Sequence, residues 1–170
     1  MRSKSFDGMT CSMAEVLGAL GDRWGALIMR DLLIGLRRYD DLRRSMDITH
    51  ATLSDRLKSL EQAGLIDRRR YRTRPDRYQY APTARGRDLA LLMQALVQIG
   101  DKWRCEDGRE APLHFLDANT GARLKLALID ADTEIAQRER KIKIKPGPGS
   151  DDAMTWRITR SEEERVTEGR

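Results

Sequence analysis

The sequence predicts a mainly α-helical domain that carries a β-hairpin, followed by a small β-rich extension. Three observations lead there. Apolar residues recur at helical spacing in successive segments between Ser12 and Gly64. The period then changes to alternation on both sides of a Pro-Asp turn signal at Pro75-Asp76. A long helical stripe follows from Leu89 to Trp103, after which short alternating runs are separated by Gly and Pro.

The elements can be justified in order. Ser12-Met13-Ala14-Glu15 fits a capping box, with a hydroxyl at the N-cap and a carboxylate three residues on. Met13, Val16, Leu17 and Leu20 form one apolar face, and Gly21 ends the helix. Asp22 can cap a second helix that turns Trp24, Leu27, Ile28 and Leu32 toward a core and closes at Gly35. A short third helix is predicted over Asp40–Met46, anchored by Tyr39 and Leu42. Thr49 caps a fourth, with the stripe Leu53, Leu57, Leu60 and a terminal Gly64. Its opposite face holds Ala51, Thr52, Asp55, Lys58, Ser59 and Gln62, which are short or polar.

After Leu65-Ile66, two strands joined at Thr73-Arg74-Pro75-Asp76 make a hairpin, with Tyr78 and Tyr80 on one face. Packing against the helices is the expected use of those two rings. Thr83 caps the longest helix, striped by Leu89, Leu92, Met93, Leu96, Ile99 and Trp103. Three short helices and a hairpin cover little of such a stripe, so the surplus predicts a second subunit. Pro112–Ala118, the turn Asn119-Thr120-Gly121 and Ala122–Ile129 predict a second hairpin. Lys141–Lys145 alternates as an edge strand would, and Pro146–Ser150 breaks the pattern. Residues 150–170 are expected to be a flexible tail with a short helix near Trp156 or Glu162. The expected organisation is an N-terminal arm (1–10), a helix-and-wing domain (11–107), a β-hairpin-rich extension (108–149) and the tail (150–170).

Charge is concentrated in one place. Residues 68–77, RRRYRTRPDR, hold six Arg and one Asp. Removing them from the 32 basic and 27 acidic residues of the chain leaves 26 of each, so the whole net charge of +5 sits in ten residues. An arginine-studded hairpin placed after a polar-faced capped helix is the order of a winged helix-turn-helix. In that geometry the fourth helix enters the major groove and the hairpin lies along the adjacent backbone or minor groove. Duplex DNA carries about one negative charge per 1.7 Å of axis, so charge is most effective on the part that touches phosphate.

Roles divide accordingly. Arg69, Arg70, Arg72, Arg74 and Arg77 are wing candidates for phosphate or minor-groove contact. Thr49, His50, Thr52, Ser54, Asp55, Arg56, Lys58 and Ser59 are recognition-helix candidates. A carboxylate at Asp55 is repelled by DNA unless it accepts from cytosine N4 or pairs with a basic neighbour. Arg56, nearer the buried edge, can extend outward to a phosphate. The other reading, a winged-helix module for protein–protein interaction with only non-specific DNA affinity, gives no reason to concentrate charge on the wing.

A set of ordered residues resembles the HxlR family of bacterial transcriptional regulators. It runs Cys11, Leu17-x-x-Leu20-Gly21-x-x-Trp24, Ile28-x-Arg30-x-Leu32, Gly35-x-Arg37-Arg38-Tyr39-x-x-Leu42, Leu53-Ser54-x-Arg56-Leu57-x-x-Leu60-x-x-x-Gly64-Leu65-Ile66 and Tyr80-x-x-Thr83-x-x-Gly86. The resemblance covers residues 11 to 104. It implies a homodimer that binds pseudo-palindromic operator DNA as repressor or activator. Dimer contacts in the family come from the first and last helices, here Met13, Val16, Leu17, Leu92, Leu96, Ile99 and Trp103. Many members carry a basic residue where this chain has Ala51, so their base-reading pattern does not transfer.

Some members sense quinones, aldehydes or oxidants through a cysteine in the position of Cys11, which implies a redox or small-molecule effector. Cys11 stands one residue before the predicted cap, where positive helix-end potential favours a thiolate. The alternative is a small apolar residue at a subunit contact. Cys105 is expected to be a bystander. Two cysteines make no disulfide framework. His50 and His114 belong to no zinc-ligand spacing, and no phosphate loop or nucleophile motif occurs, so neither metal, cofactor nor catalytic residue is expected. No apolar run approaches the ~20 residues that span a bilayer, and the charged start MRSKSFDGM has no apolar signal core. The expected setting is the bacterial cytoplasm, at the nucleoid when bound to DNA.

Overall fold

The structure, a computed structural model, describes residues 6, 10–74, 76–127 and 142–168. The chain divides into two compact units, residues 1–89 and 90–170.

The first unit is built on helices α1 (Ser12–Leu20), α2 (Arg23–Ile34), α3 (Tyr39–Met46) and α4 (His50–Gln62), then strands β1 (Ile66–Thr73) and β2 (Asp76–Pro82). Helix α5 (Ala84–Glu106) begins here. The N-cap of α1 is Cys11, without a side-chain cap bond. The capping box expected at Ser12 is therefore not formed, because the helix starts one residue early and Ser12 lies inside it. Gly21 ends α1 at φ 77°. Asp22 does cap α2, its Oδ1 accepting from Trp24 N at 2.9 Å and Gly25 N at 3.1 Å, an arrangement worth ~1 kcal/mol.

Helix α2 is the centre of the unit. It packs on α1, α3, α4 and β2, so more of its circumference is buried than one stripe predicts. Ile28, Met29 and Leu32 are fully buried, whereas Trp24 and Leu27 are only half-buried. Asp31 is also fully buried and pairs with Arg30 at 2.7 Å. A Cβ on Gly25 would fall 1.9 Å from the Leu20 carbonyl oxygen, so only glycine lets α2 start this close to α1.

The hairpin forms in the predicted place. β1 and β2 pair antiparallel from Ile66↔Pro82 to Thr73↔Asp76, with an irregularity between Arg70 and Arg72 that leaves Tyr71 unpaired. Tyr80 N donates to Arg37 O at 2.8 Å and Arg38 bridges Gln79, so the chain before α3 is held to β2 by one isolated antiparallel bridge. Tyr80 is buried against the helices as expected; Tyr78 is half-buried. Thr83 fastens the start of α5, accepting from Gly86 N and donating to Gly64 O at 2.7 Å.

The second unit contains residues 90–106 of α5, strands β3 (Leu113–Asp117) and β4 (Ile142–Pro146), and helix α6 (Asp152–Glu168). β3 pairs with β4, antiparallel from Leu113↔Pro146 to Asp117↔Ile142. Among the described residues, the predicted second hairpin is formed only at its turn. Asp117 Oδ1 accepts from Asn119 N and Thr120 N, and Leu124 N donates to Phe115 O at 2.8 Å. Beyond that, a single bridge joins Leu116 to Arg123. β3 is thus bonded to both segments, and its full-length ladder is the one to β4. Ile129 and Lys141 lie outside the described residues. Gly147 N and Gly149 N bond to Pro112 O and Ala111 O, so the predicted breaker continues along the chain before β3. Where a short helix within a flexible tail was expected, α6 has 17 residues. Asp151 caps it through Met154 N at 2.7 Å, and Ile158, Ser161 and Glu164 form its buried side.

Candidate nucleic-acid interface

The turn between α3 and α4 sets the angle of the second helix. Asp47 adopts a left-handed conformation at φ 48°, Ile48 is buried, and Thr49 caps α4 by accepting from Thr52 N at 3.2 Å. Leu53, Leu57 and Leu60 are buried at 0–2% exposure. Each contributes about 2 kcal/mol on burial and together they fix which face of α4 remains outside. On that face His50, Ser54, Asp55 and Lys58 are exposed, and Thr52, Arg56 and Ser59 are half-exposed. All eight recognition-helix candidates thus retain solvent access; Thr49 itself is exposed at the cap.

Two long-range contacts organise this surface, and local spacing signals neither. The first is Tyr39. Its hydroxyl donates to His50 O at 3.1 Å and lies 3.2 Å from His50 Nδ1 and 3.0 Å from Ser54 Oγ. The two rings stack at 5.6 Å with 11° between planes. A phenol has one proton, so at least one of these neighbours must donate to it. The sequence marks Tyr39 as a buried anchor; here it is half-buried and secures the first turn of α4 to α3. The second contact is Arg56. Its Nε lies 3.1 Å from Asp22 Oδ2, an ion pair whose angle falls short of a hydrogen bond, and its Nη2 lies 3.5 Å from Asp55. Arg56 is thereby directed to the cap of α2. Asp55 has the basic neighbour that the sequence required of a carboxylate on this face.

The wing register, which spacing leaves open, sorts the arginines. Arg68 and Arg70 stand opposite Tyr80 and Tyr78, and Arg69 opposite Gln79. The Arg68 guanidinium covers the Tyr78 ring. Arg38 lies over Tyr71 at 5.7 Å. Arg69 and Arg70 make long, exposed ion pairs to Asp67 at 3.8 Å and Asp76 at 3.5 Å, which contribute little. Arg72, Arg74 and Arg77 are exposed and take no ion pair among the described residues. Burial raises the Tyr80 hydroxyl above its ordinary pKa, against the opposing charge of Arg68.

The remaining candidates are on α1 and α5. Cys11 is half-exposed and Cys105 exposed, both as free thiols. Met13 and Leu17 are 70% and 47% exposed, and Leu96, Ile99 and Trp103 are 51%, 48% and 63% exposed. Val16 is exposed and Leu92 half-buried. Among the described residues no His, Cys, Asp and Glu side chains gather as a metal site, and no helix is long and apolar enough to cross a membrane.

The model of the HxlR-like helix-turn-helix family matches residues 19–107. An uncharacterized HTH-type transcriptional regulator of Mycobacterium tuberculosis is 34% identical over 148 residues, 86% of this chain and 91% of its own. Only 89 residues of this chain precede the second unit, so a match of that extent includes part of it. A proposed transcription factor of Pseudomonas aeruginosa superposes with a TM-score of 0.51 at 32% identity, covering 86% of this chain and 99% of its own. The redox regulator HypR, in its oxidized form, superposes with a TM-score of 0.50 at 26% identity over 54% of this chain and 96% of its own. The first is named as a transcriptional regulator and the second as a transcription factor, a non-enzymatic kind of protein, and HypR as a redox regulator. A capped helix with a polar outer face, an arginine-rich wing and a family match over more than half of the residues agree: the chain belongs to the HxlR-like helix-turn-helix family of DNA-binding transcriptional regulators.

Proposed function

We propose that this chain is a homodimeric regulator that recognises a pseudo-palindromic operator. Thr52, Ser54, Asp55, Lys58 and Ser59 face the base edges, with Thr49 and His50 at the helix start, and the wing arginines hold phosphate. The observation that carries the reading is the pairing of a rigidly seated α4 with a wing that holds the entire net charge of the chain. Exposed apolar residues on α1 and on α5 support self-association. Arg56 serves mainly to position α4, through Asp22. A cytoplasmic, nucleoid-bound location follows from this reading.

Redox control through Cys11 is the finer part of the proposal. Its support is the place of Cys11 at the N-cap of α1 and the structural likeness to HypR, itself named a redox regulator. Oxidant treatment should change the DNA affinity of the native chain and leave Cys11→Ser unaffected.

The test is a fluorescence-anisotropy titration of reduced protein at one fixed salt. It compares DNA from upstream of its own gene and its neighbours with unrelated duplex of equal length. A preference of about 10³-fold or more is expected of a specific binder, and Lys58→Ala should alter the preference between sequences. Equal affinity for every duplex, with a steep salt slope alone, would favour the interaction-module reading.

A further inference from the structure

A side chain of α5 builds a wall beside the helix. The carboxamide of Gln98 donates from Nε2 to Leu126 O at 3.1 Å, and its Oε1 accepts from Leu126 N at 2.9 Å. These are the two bonds of a strand bridge, made by a side chain. They hold the 122–126 segment at a fixed distance from α5, while Leu124 N bonded to Phe115 O holds it to β3. Between them lies a cleft of about 560 Å³, within the ~300–1,000 Å³ range of small-molecule sites.

The lining has two characters. Val97, Leu113, Phe115 and Leu124 supply an apolar floor. Lys102, Arg123 and Lys125 bring three fixed cations against the single carboxylate of Asp101, with His114 beside them. A smaller cleft of about 440 Å³ shares Asp101, Cys105, His114 and Arg123, so the polar group sits where the two meet. Burial raises the Asp101 carboxyl above its ordinary pKa, opposed by His114, Arg104 and Arg123. Arg123 is exposed and has no ion pair among the described residues, so its planar fork is open to an oxyanion.

We propose that this cleft is an effector site for a small organic anion with an apolar, ring-sized body, its oxyanion held at Arg123 and its body on Val97, Leu113 and Phe115. The proposal rests on the regulator reading for the consequence of binding, but not for binding itself.

Calorimetric titration of the full chain with benzoate and 1-naphthoate, and with 1-naphthylmethanol as the neutral counterpart, tests the site. Naphthoate should bind at least about tenfold more tightly than the alcohol, as a charge-assisted bond requires. Arg123→Gln should remove that advantage and leave the alcohol unchanged, a readout that unfolding would not mimic. Val97→Trp should put an indole on the apolar floor where the ligand body sits and abolish binding of both. If neither acid binds, or if binding survives Val97→Trp, there is no such site. Anisotropy titrations with saturating naphthoate then test the consequence. A shift in operator affinity of at least about fivefold is expected in the native chain and none in Val97→Trp. Ligand binding without any shift, in a chain that does prefer its operator, overturns the effector role. Ligand binding with the predicted variant pattern, in a chain without sequence preference, leaves the cleft standing and removes the regulator reading.

Discussion

The guanidinium carbon of Arg68 lies 3.6 Å from the centroid of the Tyr78 ring. The two residues are diagonal neighbours on one face of the hairpin, since Arg68 stands opposite Tyr80 and Arg70 opposite Tyr78. Arg68 is therefore engaged within the wing, whereas Arg72, Arg74 and Arg77 extend from its exposed end. Each arginine that neutralises a phosphate adds about 0.9 to the slope of log K against log salt. Arg72→Ala and Arg74→Ala should each lower the slope by that amount. Arg68→Ala should change it less and should cost about 0.5–1 kcal/mol of stability, as an exposed cation–π contact does. Anisotropy at a series of salt concentrations separates the two effects. A slope change in Arg68→Ala equal to that in Arg72→Ala would show that the stacked side chain also reaches DNA.

Two glycines of α5 should respond in opposite directions to the same substitution. A Cβ on Gly86 would meet Leu65 O at 2.0 Å and Met29 Cε at 3.3 Å, while one on Gly100 would meet nothing within 4 Å. Gly86→Ala must move backbone against backbone and should cost about 1–3 kcal/mol. Gly100→Ala should stabilise the helix by about 0.5–1 kcal/mol. Urea denaturation of both variants at one protein concentration decides the matter, and a stable Gly86→Ala would mean that the wing base is looser than its geometry indicates.

Stability should also depend on pH through Asp101. Its folded pKa is raised, chiefly by burial, so the folded state holds the proton more tightly than the unfolded one. That contribution is fully present below the ordinary carboxylate pKa and is lost as pH rises through the shifted value. Asp101→Asn should remove this dependence. Relative to the native chain, the variant should gain stability between acid pH and neutrality, read from urea midpoints across that range. A constant difference at every pH would contradict the assignment.

Self-association should depend on the exposed stripe of α5. Trp103 and Leu96 are 63% and 51% exposed in the single chain, and large apolar residues left open in this way mark contact surfaces. If the chain is the proposed homodimer, Trp103→Glu or Leu96→Glu should give monomer in sedimentation velocity and weaken operator binding at least about tenfold, since one half-site contact is lost. An unchanged sedimentation coefficient in both variants would place the contact elsewhere.

The local grammar of the first unit is readable from residue spacing. Asp22, Thr49 and Thr83 cap helices where predicted, the Leu53–Leu57–Leu60 stripe is buried, and the arginine-rich hairpin turns at Thr73–Asp76. Each depends on residues within one or two helical turns, so spacing alone exposes it. The outward face of α4 and the place of the arginines on the hairpin were legible for the same reason. Long-range packing, by contrast, buries α2 beyond its stripe, draws Asp31 into the core, and turns Arg56 to Asp22 and Tyr39 to His50. Those outcomes depend on which distant elements meet, and no local period carries that information. The extension diverged most, because β3 is bonded both to residues 122–124 and, over its full length, to the distant β4, and no local period names a distant partner.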